Sequence, residues 1–272
     1  MFRVVLATLL SATFLLPVAN AKEVNISGST SVSRIMDVLA EEFNATHDAS
    51  YIAVQSIGST AGITMVNKGV AEIGMSSRYL TEGEYSEQLT VLTIAYDGLG
   101  VVVNHANLIK DITREQLFDV YKGNVTNWKQ LGGKDLTIAV VTRELSSGSR
   151  SSFESLLGLT RIVNNHQVSD INPTNLVVSS NSMVKTIVKH NPQAIGFISD
   201  GSVDNTVKEL TFEGITATQT NIRDKKYQLS RPFIIFYKTE EISKDGEAFI
   251  QFLKSDRAKK LIQQYGYIPT ND

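Results

Sequence analysis

The 272-residue chain contains no cysteine. That absence excludes disulfides, cysteine-ligated metal and lipid attachment at a signal-cleavage cysteine. Charge of one sign is also lacking: 26 Lys and Arg stand against 28 Asp and Glu, a formal net charge of −2, with no run of like charge. Such a balance argues against a nucleic-acid partner and against a polybasic membrane patch. The few histidines, His47, His105, His166 and His190, lack metal-ligand spacing and read as surface or loop residues. No G-x-x-x-x-G-K-[ST] occurs, which removes the usual nucleotide phosphate loop. Neither a metal nor a cofactor is expected. The single tryptophan, Trp128, reads as a plug at a core edge.

Long apolar runs are scarce too, and the one that stands out is N-terminal. Arg3 supplies a positive start, Val4 to Leu16 an apolar core, and Ala19-Asn20-Ala21 an A-x-A cleavage pattern. The run is too short for a membrane anchor, and no later stretch approaches the length a spanning helix needs. Residues 1–21 are therefore expected to be a signal peptide cleaved after Ala21, and the mature chain to be a soluble periplasmic protein, a monomer on the simplest expectation.

What is present is an alternation of short strands and helices. Val24–Ser27 reads as a strand, and Val32, Ile35, Met36, Leu39 and Phe43 fall on one helical face. Tyr51–Ser56 and Ala71–Met75 read as further strands, with a short helix over 61–67 between them. Leu89–Ala95 and Leu99–Asn104 read as two strands separated by Tyr96-Asp97-Gly98. Thr113-Arg114-Glu115-Gln116 fits a capping box for a helix that stops at Lys122-Gly123. A strand over Leu136–Val141, helices around Met183–Val188 and after Phe249, and strands at Ala194–Ile198 and Pro232–Lys238 complete the pattern. Alternation of this kind predicts an α/β chain with a mainly parallel sheet and ligands outside the strands' carboxyl ends. The predicted division is a first lobe of residues 22–101 plus 206–272, a second lobe of 102–205, and two crossings that form a hinge.

The stretch around which the chain is organised is Arg143-Glu144-Leu145-Ser146-Ser147-Gly148-Ser149-Arg150-Ser151-Ser152. A strand that empties into a Ser/Gly turn and then opens a helix directs unpaired N–H groups and hydroxyls at one spot, here beside a guanidinium. Ser27-Gly28-Ser29-Thr30-Ser31 and Gly58-Ser59-Thr60-Ala61-Gly62 repeat the arrangement, and Ser77-Arg78 ends another strand. Any one such turn is commonly an N-cap and nothing more; together they predict an oxyanion site. A tetrahedral oxyanion presents acceptors on all sides, so a dry site for one needs many preset donors.

Enzyme readings find less support. Gly58-Ser59-Thr60-Ala61-Gly62 resembles a G-x-S-x-G elbow, but Thr60 stands at its centre. Ser182-Met183-Val184-Lys185 fits S-x-x-K without its companion motifs and reads as a helix face with a surface lysine. A serine-dependent hydrolase is the alternative, and no histidine stands near these turns in sequence to serve as base.

In order and spacing, several segments resemble the periplasmic phosphate-binding proteins of ABC transporters, the PstS type in its shorter bacterial form. They are Ser27-Gly28-Ser29-Thr30, Gly58-Ser59-Thr60-Ala61-Gly62, Ile73 to Arg78, Ile94 to Gly98, Asn127-Trp128, Arg143-Glu144 with Ser147 to Arg150, and Gly266-Tyr267-Ile268-Pro269. The resemblance implies a two-lobed, type II periplasmic-binding-protein (Venus-flytrap) fold with a two-strand hinge. It implies inorganic phosphate as ligand and a permease of the inner membrane as partner, with no catalysis. It further implies that Thr30 and Ser59 donate hydroxyls from the first lobe, that Arg143, Ser147, Gly148 and Ser149 hold the anion from the second, and that Ser29 and Ser31 flank the first turn. Longer members of the family have an aspartate where this chain has Ser77. Arg78 is expected to contact the anion in its place, with Glu144 or Asp97 either accepting the phosphate proton or serving as a salt bridge to a neighbouring arginine or as a turn cap.

Overall fold

The computed structural model describes residues 22–47, 50–164 and 166–270; the expected signal peptide, residues 1–21, lies outside them. The chain opens with β1 (Lys22–Gly28), α1 (Thr30–Asn44), β2 (Ser50–Ser56), α2 (Ser59–Asn67) and β3 (Ile73–Ser76). Helix α1 forms because Val32, Ile35, Met36, Leu39 and Phe43 recur at helical spacing and bury against the sheet, while Arg34, Asp37 and Glu41 face water. Each such buried side chain contributes about 1.5–3 kcal/mol. Next comes β4 (Leu89–Val103), followed by β5 (Asp111–Ile112) and α3 (Arg114–Lys122). The Thr113 and Gln116 side chains cap α3 reciprocally, and Gly123 ends it at φ 88°.

Beyond α3 lie β6 (Ala139–Arg143), α4 (Gly148–Leu157), the hairpin β7 (Thr160–Val163) and β8 (His166–Ser169), β9 (Leu176–Val178), α5 (Asn181–His190) and β10 (Ala194–Ser199). The chain closes with β11 (Lys208–Phe212), α6 (Gln219–Arg223), β12 (Ser230–Lys238), α7 (Lys244–Leu253), α8 (Asp256–Gln264) and β13 (Ile268–Pro269). Among the described residues, no helix is long and apolar enough to cross a membrane.

The strands order as β2-β1-β3-β12-β4-β10-β6-β9. Pairing is parallel between β1 and its neighbours and between β6 and its neighbours. It is antiparallel around β4 and β12, so the sheet is more mixed than the alternation predicts. The reason is that β4 and the segment entering β12 are the two lobe crossings, and they run past each other.

The Leu89–Asn104 region differs from its expectation in a second way. In place of two strands it is one 15-residue strand. Asp97 does not break it, because Arg231 stands opposite in the ladder and neutralises the charge. The first half of β4 pairs with β12, and Leu99–Val103 pairs with β10.

The two largest apolar clusters among the described residues lie on either side of this crossing. One joins α1, β1, β3, Ile94, Phe233 and the C-terminal helices. The other joins Leu99, Leu117, Trp128, Phe153 and Phe197, and it also takes in Leu210, Phe212, Ala217, Ile222, Tyr227 and Leu229. The core around Leu99 and Phe197 therefore includes residues from Leu210 to Leu229, which the expected boundary at 205 assigns to the first lobe. They join this core because β11 pairs with the second half of β4 and α6 contributes Ile222 to it.

Candidate functional site

The turns after β1, β2, β3 and β6 all lie at carboxyl ends of strands and converge between the lobes. Ser29 caps α1, its Oγ accepting from the N–H groups of Ser31 (3.2 Å) and Val32 (3.3 Å). Helix α2 starts after Gly58, which sits at φ 92° and offers no capping side chain. Helix α4 is capped by Ser147, whose Oγ accepts from Arg150 N–H at 3.3 Å. Helix N-termini carry partial positive charge, so three of them near one point favour an anion there.

The lobes touch directly at this point. Ser31 Oγ and Ser149 Oγ are 3.0 Å apart. Ser152 Oγ donates to Ser77 O at 3.0 Å, and Thr60 N–H to Ser146 O at 3.2 Å. Gly148 is required by this approach: a Cβ there would lie 2.2 Å from Ser59 Oγ and 2.6 Å from Ser77 Oγ.

Arg143, fully buried at the end of β6, ties the parts together. Its Nη2 donates to Thr30 Oγ1 of the other lobe (2.9 Å) and to Ser179 O (3.0 Å), and Nη1 donates to Asn181 Oδ1 (3.1 Å). Nε and Nη2 also pair with the Glu144 carboxylate at 3.0 Å.

Of the residues expected at the site, Ser29, Thr30, Ser31, Ser59, Ser77, Arg143, Ser147, Gly148 and Ser149 come together. Ser77 Oγ accepts from Ser29 Oγ at 2.9 Å, and Ser77 N–H donates to Ser59 Oγ at 3.2 Å. Arg78 lies beside them, but its guanidinium is held by Glu84 in a two-point pair at 2.6 and 2.7 Å. It reaches α2 through Thr60 Oγ1 at 3.2 Å. Burial raises the Glu84 carboxyl, but Arg78 and the Thr81 N–H outweigh it and hold the group below its ordinary value. Glu144 and Asp97 are both in salt bridges to arginines.

Ser152, at the end of the central stretch, joins this constellation, as do two residues outside every expected turn, Asn181 and Arg231. Asn181 Nδ2 donates to Ser31 Oγ at 3.1 Å, and Arg231 Nη1 to Ser149 Oγ at 2.7 Å. A signal for Arg231 was present, since Asp97 is a lone charge inside the apolar β4, Arg231 opens the apolar run of β12, and a buried charge calls for an opposite one. Asn181 carried no comparable signal. It follows an N-capping serine like many helix starts.

In this network six hydroxyls of the cluster accept a hydrogen bond from a neighbouring N–H or O–H: Thr30 from Arg143, Ser31 from Asn181, Ser59 from Ser77, Ser77 from Ser29, Ser149 from Arg231 and Ser147 from Arg150. A hydroxyl has one hydrogen, so accepting leaves it for donation, and one of the facing pair Ser31 and Ser149 gives its own to the other. Ser29 spends its own on Ser77.

A family model described as a PBP superfamily domain matches residues 17–257. The phosphate-binding protein PstS of Borreliella burgdorferi is 31% identical over 253 residues, 92% of this chain and 90% of the relative. PstS of Bacillus subtilis is 29% identical, over 91% of this chain and 80% of the relative. Among solved structures, an ABC-type phosphate transport receptor from Vibrio cholerae is 58% identical with a TM-score of 0.78, covering 91% of this chain and 100% of that one. A putative phosphate ABC transporter substrate-binding protein with bound phosphate, from Clostridium perfringens, is 36% identical with a TM-score of 0.86 and covers 92% and 100%.

Proposed function

The chain belongs to the PstS-like phosphate-binding proteins of the PBP superfamily, and from that membership we propose that it captures inorganic phosphate in the periplasm and delivers it to the permease of an ABC transporter. The family is one of substrate-binding transport receptors and not an enzyme class. The observation that carries the proposal is the cage of donors contributed by both lobes around Arg143.

On binding, the hydroxyl–hydroxyl and hydroxyl–arginine bonds that join the lobes are exchanged for bonds to phosphate oxygens. The anion then bridges Thr30, Ser59 and the α1 and α2 N-termini on one side with Arg143, Ser147, Gly148 and Ser149 on the other. Because such bridging needs the lobes together, phosphate shifts the population toward the closed form, which the permease reads. Micromolar capture requires about 8 kcal/mol. Charged hydrogen bonds contribute roughly 1.5–3 kcal/mol each net, so several suffice after the costs of closure and dehydration.

Catalysis is absent from this reading because a serine nucleophile needs a positioned base. Among the described residues, no hydroxyl of the cluster bonds to a histidine or a carboxylate; the ring of His47 stacks on Phe43 and that of His105 bonds to the Asn205 carbonyl. With Ser77 presenting a hydrogen where longer relatives present a carboxylate, the cage favours the dianion through charge and shape.

Calorimetric titration of the mature, phosphate-stripped protein with phosphate, arsenate and sulfate, at two pH values spanning the second ionisation of phosphate, tests the proposal. Tight phosphate binding by a monomer, stronger at the higher pH, is expected. Absence of phosphate binding at either pH would overturn the function.

A further inference from the structure

Capture as described leaves the ion pair most deeply buried on both sides, among the described residues, without a role. Asp97 on β4 and Arg231 at the start of β12 sit opposite each other where the chain crosses between lobes, each side chain about 1% exposed. Next to them, Leu99 N–H donates to Leu229 O at 2.7 Å and joins the two crossing strands. Arg231 Nε and Nη2 both donate to Asp97 Oδ2, at 3.1 and 2.9 Å, and Asp97 Oδ1 accepts from Ser199 Oγ at 3.0 Å. The pair is electrically balanced, so it adds little net field to the site.

Its geometry does more. With Nε and Nη2 fixed by one carboxylate oxygen, the planar guanidinium has a set orientation, and Nη1 points at Ser149 Oγ, 2.7 Å away. Ser149 lies in the first turn of α4, in the second lobe, and faces Ser31 of the first lobe at 3.0 Å. Ser31 in turn accepts from Asn181. One lone pair on each of the two facing hydroxyls is therefore occupied from behind, and between them they hold two hydrogens. One hydrogen satisfies the Ser31–Ser149 contact; when that contact is exchanged for bonds to the anion, Ser149 has its own hydrogen left for a ligand oxygen.

We propose that Arg231, held by Asp97 at the lobe crossing, is a positioning residue that presents Ser149 as a donor to the captured anion. The proposal rests on the phosphate reading above. It makes Ser149 the means by which the hinge and the anion cage are coupled, since Arg231 belongs to a crossing strand and touches the cage through that hydroxyl.

A double-mutant cycle on phosphate affinity tests it. Removing Arg231 alone would strand a buried carboxylate, so the pair is neutralised as a unit, Asp97→Asn with Arg231→Gln. Calorimetry compares wild type, Ser149→Ala, the neutral-pair variant and the combination. The neutral pair is expected to weaken phosphate binding about tenfold, and in the Ser149→Ala background to cost no more than about twofold further, the non-additivity of residues acting through one contact. Losses that multiply would overturn the proposal.

A second readout needs only Ser149→Ala. The side-chain NMR signals of Arg231 should shift on phosphate titration in the wild type and stay still in Ser149→Ala. Signals that ignore phosphate in the wild type would overturn the proposal even if the neutral pair does not fold. A wild-type protein that binds no phosphate defeats the functional reading itself, an outcome distinct from additive losses in a protein that binds.

Discussion

Arg78 lies just past the buried strand β3 and Arg143 ends β6; both adjoin a serine turn and both have a carboxylate partner, yet they are placed for different work. Arg78 pairs with Glu84 by two parallel bonds, and its remaining contacts, the Tyr79 carbonyl and Thr60 Oγ1, are in its own lobe. Arg143 pairs with its sequence neighbour Glu144, whose side chain is 25% exposed, and sends Nη1 and Nη2 on to Asn181 and across to Thr30. The partner decides the role. A carboxylate several residues along a loop clamps the loop, whereas an adjacent one holds the guanidinium while leaving N–H groups aimed at the opposite lobe.

That contrast breaks most decisively at Arg143. Arg143→Ala is expected to weaken phosphate binding by more than about tenfold, equivalent to 1.4 kcal/mol, with both lobes still folded. Near-unchanged affinity in calorimetry would remove Arg143 from the site. Gly148→Ala asks whether lobe contact itself matters, because the added methyl would meet Ser59 Oγ and Ser77 Oγ. Its cost should fall below that of Arg143→Ala but exceed about threefold, since the neighbouring hydroxyls can give by only part of the overlap. Wild-type affinity there would mean that phosphate is held with the lobes farther apart. Arg78→Gln sharpens the comparison from the other side. Affinity should change by less than about threefold, while melting temperature drops because Glu84 loses its partner. A loss as large as that of Arg143→Ala would show that the Glu84 clamp does not keep Arg78 out of the cage.

Sequence reasoning reached the three serine turns because each is local: a strand end, an N-capping serine and a helix pattern lie within a dozen residues. It reached Arg143 for the same reason. The lobe boundary was less legible, since β11 and α6 are short and their membership is decided by pairing with a strand more than a hundred residues earlier. Asp97 looked like a turn because a charge inside an apolar run normally ends a strand. Its partner Arg231 is 134 residues away, and only the fold brings them together. The same separation hid Arg231 and Asn181 from the site, for neither sits in a serine turn and each acts on a hydroxyl that does.

Asp200 and Glu209 extend the comparison to carboxylates that have no arginine. They lie near the lobe crossing, Asp200 after β10 and Glu209 on β11, and they interact with each other. Burial, then the charges of Glu209 and Asp97, push Asp200 up to about 8. Burial raises Glu209 to about 7. Both values lie above those of the unfolded chain, so the folded protein retains protons that the unfolded chain has released. The stabilisation this brings is complete below the ordinary carboxylate range and is lost as pH rises through about 7 and about 8. Glu209→Gln removes one titrating group and relieves the like-charge push on the other. Its melting temperature should therefore fall less steeply than that of the wild type between pH 6 and 9, by a few degrees over the range at about 1.4 kcal/mol per pH unit at most. Parallel curves for the two proteins would mean that the two carboxylates are ionised in the fold throughout, and that a buried pair of acids next to the crossing is tolerated without a proton or an arginine.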